Sequence, residues 1–308
     1  MKVKIANPAY DVSFKFLMED KQAASILLSD LIGVQILDLE FKPKEYTITA
    51  QLPDGTNKKI TTYRLDFKAV IQTSKNQTKV VLIEVQRAMF GTEERRFRNY
   101  LGEQYSSKEN LMVKDEQDIG IPLIAIYFLG YFLPKVENHG IIKVKRRYYD
   151  GLTGRTIRRQ THFIEALSHD LIVVQLPYFK ERAGESDIEK ALKLFDPSPN
   201  TLYLWVDETQ FSAKYQSIIK RLKMAATSPD ITRRMEEEDY IMLAFKRKED
   251  LIRRKEDLIR RKEDLIRRER QARLELARRT AKELKNLGVP SEKISKITGL
   301  PIIEIIKL

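Results

Sequence analysis

Three consecutive copies of Lys-Glu-Asp-Leu-Ile-Arg-Arg, at Lys248–Arg254, Lys255–Arg261 and Lys262–Arg268, leave the chain little choice over that stretch. A period of seven is two turns of helix, and no strand accommodates it. Glu249, Glu256 and Glu263 stand four residues before Arg253, Arg260 and Arg267, the favourable order for helical ion pairs, worth ~0.2–0.5 kcal/mol each. The apolar residues are adjacent pairs, Leu251-Ile252, Leu258-Ile259 and Leu265-Ile266, and not the alternating three-and-four spacing of a coiled-coil seam. The expectation is one continuous charged helix with only partial coiled-coil association. Residues 246–285 hold 17 Lys/Arg against 9 Asp/Glu, so +8 of the formal +12 lies there. The rest is mildly basic, and its function must be argued from the placement of residues.

That remainder mixes helical and strand-like periods, as an α/β domain does. Asp20 to Leu31 predicts an amphipathic helix with Asp20 as N-cap and Gly33 as stop. Ile36 to Glu45 is strand-like, Pro53-Asp54-Gly55 is turn chemistry, and Lys59 to Ile71 and Lys79 to Gln86 are strands joined by a polar loop. Glu93 to Glu109 predicts a helix with Tyr100 and Tyr105 in the core, and Ile121 to Phe132 a buried strand. Strands at Ile141 to Val144 and Leu171 to Leu176, a helix from Ser186 to Phe195 and a packed Trp205 complete the region. Near the end, Gly288, Pro290, Gly299 and Pro301 frame two short helices, the first with Ile294 and Ile297 facing one way. The chain divides into an α/β domain over 1–205, a helical connection over 206–245, the charged helix over 246–287 and a helix-turn-helix-like tail over 288–308.

With no Cys, disulfides and thiolate metal sites are excluded, three scattered His leave little for a histidine cluster, and a metal would have to sit on carboxylates. The longest apolar stretch, Ile121 to Leu133, falls short of the ~20 residues that cross a bilayer. No apolar run precedes Asp11, so no secretory signal is expected. A soluble, cytoplasmic protein without membrane contact is expected.

The sharpest constellation is Asp66 with Glu84 and Gln86. Glu84 interrupts Val80-Val81-Leu82-Ile83, a run suited to a central strand, where a carboxylate needs a cationic companion. Residues two apart share a strand face, so Glu84 goes with Gln86, and Asp66 with Lys68. If the two strands pair with these faces together, two carboxylates, an amide and an ammonium converge. Mg²⁺ or Mn²⁺ takes such oxygen ligands, and the ion can activate water against a phosphodiester. Alternatively, Glu84 pairs with Arg64 or Arg87, and Asp66 merely ends a strand.

Asp66, followed by Glu84-Val85-Gln86 in a hydrophobic strand, resembles the PD-(D/E)XK nuclease superfamily, above all its recombination-promoting nucleases and putative transposases. Asn7-Pro8-x-x-Asp11-x-x-Phe14-Lys15, the segment Arg95 to Tyr105 and the ending Ala281 to Leu308 agree with it. The resemblance implies a restriction-endonuclease-like core, a central mixed sheet flanked by helices. It implies a Mg²⁺- or Mn²⁺-dependent DNA endonuclease in which Asp66, Glu84 and the Val85 carbonyl hold the metal and Asp11 supports it. Gln86 occupies the slot usually filled by Lys and carries no charge, and Leu65 stands where the family has Pro. Lys68 or Lys15 would then supply the cation. If neither does, the same fold would serve as an inactive binding or assembly module.

Asp11 also suits a helix N-cap. Arg95 and Arg96, with Lys15, are candidates for phosphate contact, although Arg beside Glu93 and Glu94 also suits a solvated face. A ribonuclease satisfies the same metal motif. A homodimer would set two sites on the two strands of a duplex. The Ile-rich last helix lacks donors for base edges, so packing or self-association suits the tail better than DNA reading.

Overall fold

The computed structural model describes residues 2–51, 57–74, 77–88, 94–114, 117–159, 161–180, 182 and 184–308, and side chains within these except at 42–51, 57–64, 74, 77, 84, 88, 114, 117–118, 245–246 and 248–249. The turn expected at Pro53-Asp54-Gly55 lies outside the described residues. The chain forms two compact units, Met1–Ala244 and Phe245–Leu308.

In the first unit, β1 (Lys2–Ala6) leads into α1 (Asp11–Met18) and α2 (Lys21–Ile32), then β2 (Ile36–Gln51), β3 (Asn57–Ser74), β4 (Gln77–Ala88) and α3 (Glu94–Ser106). Two short strands, β5 (Leu111–Lys114) and β6 (Gln117–Gly120), precede β7 (Leu123–Leu129) and β8 (Ile141–Val144). A small hairpin follows, β9 (Tyr148–Tyr149) and β10 (Thr156–Ile157), then α4 (His162–Ala166), β11 (His169–Gln175), α5 (Pro177–Lys180) and α6 (Asp187–Leu192). Finally come β12 (Tyr203–Asp207), α7 (Gln216–Ala226) and α8 (Pro229–Asn286), whose first residues belong to this unit.

The local signals explain these boundaries. Asp20 caps α2 by accepting from the Ala23 amide at 2.9 Å, and Gly33 ends it with φ +84°. Ser186 and Glu189 form a reciprocal capping box at the start of α6. Only Gly supplies a left-handed stop without a Cβ penalty.

The central sheet is mixed, in the order β2-β3-β4-β7-β11-β8. β4, β7 and β11 run parallel, while β3 and β8 are antiparallel to their neighbours. One face carries Leu65, Phe67, Val85, Ile126 and Phe128 into a core shared with α1, α2 and α7. On the other, Ala125, Tyr127 and Val173 pack with Phe97 of α3, whose ring stacks on Tyr127 at 4.5 Å. The core reaches past Trp205, because α7 buries Ile218, Ile219 and Leu222 in it.

Trp205 is no packing anchor: it is 67% exposed on β12, which pairs with β1, a strand that the sequence pattern does not announce. Tyr105 lies outside the core and its hydroxyl meets His169 Nδ1 at 2.8 Å.

In the second unit, α8 continues through all three heptads to Asn286, and α9 (Ser291–Thr298) and α10 (Ile302–Lys307) follow. Ala281, Ile294, Leu300 and Ile305 form a small core there. Ile297 does not join Ile294 in it and is exposed. Gly288 and Gly299 adopt φ +76° and +70° at the two turns. Among the described residues, no helix is long and apolar enough to cross a membrane.

Candidate functional site

β3 and β4 pair so that Asp66 stands directly opposite Glu84. Directly opposed residues point to one face of a sheet with their Cβ atoms ~4.5–5.5 Å apart. The same register sets Lys68 opposite Leu82, and β7 places Ala125 beside Glu84 and Tyr127 beside Gln86. Asp66, Lys68, Glu84 and Gln86 therefore occupy one face by strand alternation, the face over which α3 packs. Asp66 is 8% exposed and Gln86 2%, while Lys68 is half-buried. The side chain of Glu84 lies outside the described residues, and among those residues no group of three or more acidic or histidine side chains is poised to hold a metal.

The donor set suits a hard divalent cation, which takes oxygen ligands at ~2.0–2.1 Å for Mg²⁺. Two carboxylates opposed across a ladder repel each other, and a shared cation removes that penalty. Val85 pairs with Leu65 on one side and Ile126 on the other, so its carbonyl faces a strand neighbour and would meet an ion through its second lone pair.

Asp11 and Lys15 are not brought to this face. α1 packs through Phe14 and Leu17 on the side lined by Val85 and Phe128, with the Phe14 and Phe128 rings 5.2 Å apart. Asp11 is the first residue of α1, not its N-cap, which is Tyr10. Its carboxylate accepts from Arg87 Nε at 2.7 Å. Arg87 follows Gln86 and so emerges on the opposite side of β4, away from Asp66. Lys15 Nζ lies 3.9 Å from Glu19 on its own helix.

The structure thus gives Arg87 to Asp11 and also to Glu238 of α8, whose carboxylate accepts from Arg87 Nη2 and, at 2.8 Å and 3.0 Å, from the Asp11 amide. Burial opposes the guanidinium charge, but the two carboxylates more than compensate and hold it protonated. Two partly buried carboxylates share one cation, and desolvation, with the Asp11 charge, pushes Glu238 up to about 8 against the pull of Arg87. Next to it, Tyr10 Oη donates to Asp239 Oδ1 at 2.6 Å. This network fixes the end of β4 to α1 and the start of α8.

Of the expected phosphate contacts on α3, Arg95 is exposed, whereas Arg96 donates to the Arg87 carbonyl at 3.1 Å. Sequence counting overlooked a second basic segment. Residues 145–159 carry six Lys/Arg against one Asp on and around the β9–β10 hairpin. The signal was present as Lys145-Arg146-Arg147 and Arg158-Arg159 bracketing a Gly-containing turn, but a whole-domain charge balance averages it away.

No family model, curated protein or solved structure matches this chain.

Proposed function

We propose that this chain is a divalent-metal-dependent DNA endonuclease, with a restriction-endonuclease-like core of the PD-(D/E)XK type and a role in recombination or transposition. The observation that carries this reading is the direct register of Asp66 with Glu84 on a strand pair, with Gln86 on the same face. A central mixed sheet with helices on both faces supports the fold assignment.

Asp66 and Glu84 would hold Mg²⁺ or Mn²⁺ and orient it toward the phosphodiester, with the Val85 carbonyl as a further donor. When bound, such an ion lowers the pKa of water and stabilises charge on the phosphate oxygens. Gln86 cannot take a proton, but its amide can fix the orientation of a water by accepting and donating hydrogen bonds. Lys68, two residues from Asp66 on the same strand face, would supply the positive charge that Gln86 lacks.

The test is supercoiled plasmid incubated with the purified protein and Mg²⁺. Nicking or linearisation is expected, and Asp66→Ala and Glu84→Ala should each remove it. Intact plasmid with every protein, under conditions where DNA is bound, would refute the nuclease reading. Preferential degradation of RNA would replace DNA as substrate.

One observation favours a second reading, a non-catalytic binding module: Gln86 and Asp66 are nearly closed to solvent, at 2% and 8% exposed. On that reading DNA is retained but never cut.

A further inference from the structure

The most concentrated charge in the first unit lies on the β9–β10 hairpin. Lys145, Arg147, Arg155, Arg158 and Arg159 are all exposed, and among the described residues none of the five has an ion-pair partner. The one acidic residue in the segment, Asp150, is committed to the turn: its carboxylate accepts from the Leu152 amide at 2.8 Å and the Thr153 amide at 3.0 Å. The turn closes with the Gly154 amide on the Asp150 carbonyl at 2.8 Å, and with φ +67° at Gly154.

The base of the hairpin is pinned. Arg146 reaches Asp170 at 2.9 Å and Glu165 at 3.1 Å, and donates to the Ser168 carbonyl at 2.9 Å. The Tyr148 hydroxyl donates to Glu165, and Lys79 of β4 meets the same carboxylate at 2.8 Å. A charged surface held this way loses little conformational freedom on binding.

The sheet register relates the hairpin to the acidic pair. Asp66, Glu84, Ala125, Leu171 and Val144 form one row across β3, β4, β7, β11 and β8. Neighbouring strands are ~4.8 Å apart, so Val144 is ~14 Å from Glu84 and ~19 Å from Asp66 along that row. Lys145 follows directly. At ~3.4 Å per nucleotide of one strand, this span matches about four to six steps of nucleic-acid backbone.

We infer that the hairpin of residues 145–159 is a phosphate-backbone clamp for duplex DNA, following directly on Val144, the last member of the sheet row that holds Asp66 and Glu84. The inference deepens the nuclease reading and rests on it for the identity of the polyanion. Four of the five unpartnered cations are Arg, whose planar fork matches phosphate oxygens. Tyr149, 56% exposed between them, offers a flat apolar surface beside the charges. A two-stranded ribbon also has the shape of known DNA-contacting elements. An anionic lipid surface would use the charges with Leu152, 99% exposed at the tip, and is the competing occupant.

The test is fluorescence anisotropy of a labelled duplex titrated with full-length protein in EDTA, where no cleavage occurs, over a series of salt concentrations. A variant with Lys145→Gln, Arg147→Gln, Arg155→Gln, Arg158→Gln and Arg159→Gln is compared with the wild type. For every phosphate that a cation no longer neutralises, the slope of log affinity against log salt should flatten by ~0.9, up to ~4.5 for all five, with more than tenfold weaker binding at low salt. Should the quintuple variant fail to fold, Arg158→Glu with Arg159→Glu must show the same direction of change with an unaltered circular dichroism spectrum. Equal slopes and affinities in folded variants overturn the inference, as does hairpin-dependent binding of phosphatidylserine vesicles without binding of the duplex. Hairpin-dependent DNA binding by a protein that never nicks plasmid would uphold the clamp and sink the nuclease.

Discussion

Arginine plays different parts in the two units. In the heptads of α8 every Arg has Glu or Asp within about one turn of its own helix, and the arginines stay exposed, as Arg253 does beside Asp250 at 3.0 Å. In the first unit Arg87 and Arg146 are partnered by carboxylates from other elements, Asp11 and Glu238 for the one and Glu165 and Asp170 for the other. The repeat keeps its charges by local spacing alone, and any helix would do so. The partners of Arg87 and Arg146 meet them only once the chain has folded, because they come from distant segments. Five more cations, on the β9–β10 hairpin, fit neither pattern. Among the described residues no carboxylate pairs with them.

This contrast can be broken by substitution. The largest effect is expected for Arg87→Ala, which removes the cation that Asp11 and Glu238 share and should cost about 3–5 kcal/mol, read by denaturant unfolding of the first unit. A cost under about 1 kcal/mol would mean that the network is not a structural necessity. Arg146→Ala should cost less, about 2 kcal/mol, because Glu165 retains Lys79 and Tyr148. It should also weaken duplex binding by loosening the base of the hairpin.

The Glu238 carboxyl sharpens the contrast through pH. Its affinity for a proton is raised in the folded state, so the native chain binds that proton more tightly than the unfolded one. Stability contributed by this group should therefore be lost as pH rises from the ordinary carboxylate range through about 8. Melting temperatures taken across this range, from mildly acidic to mildly alkaline pH, should fall in the wild type and fall less in Glu238→Gln. An identical decline in both would assign the trend to other groups. The smallest effect is expected for Glu256→Gln in the repeat: slightly less helical ellipticity and no measurable change in the unfolding of the first unit, since exposed ion pairs contribute little.

Periodicity and caps were legible from the residues themselves. The Asp20 and Gly33 signals bounded α2, the seven-residue repeat fixed α8, and the apolar run after Pro122 marked β7. These are local preferences, with causes inside one or two turns of chain. Strand alternation likewise grouped Asp66 with Lys68 and Glu84 with Gln86. What it could not supply was register, because the offset between β3 and β4 depends on the whole sheet, and a slip of one residue would have sent Asp66 and Glu84 to opposite faces.

The same limitation misplaced Asp11. Its position on α1 was foreseeable, but only the crossing of α1 over the sheet decides which face it meets, and that is the face of Val85 and Arg87. Trp205 shows a similar failure: a large aromatic residue suggests burial, yet on β12 the alternation turns it outward. The basic hairpin was missed for a different reason. Charge was summed over long segments, whereas an electrostatic site depends on cations close in space with no carboxylate beside them.

Calorimetric titration of full-length protein with Mn²⁺ tests directly whether two acidic residues from neighbouring strands hold one ion. The wild type should bind the metal, and Asp66→Ala and Glu84→Ala should each abolish that binding while the protein stays folded. Undiminished Mn²⁺ binding in both variants, or none in the wild type, would contradict the site on which the proposed chemistry depends.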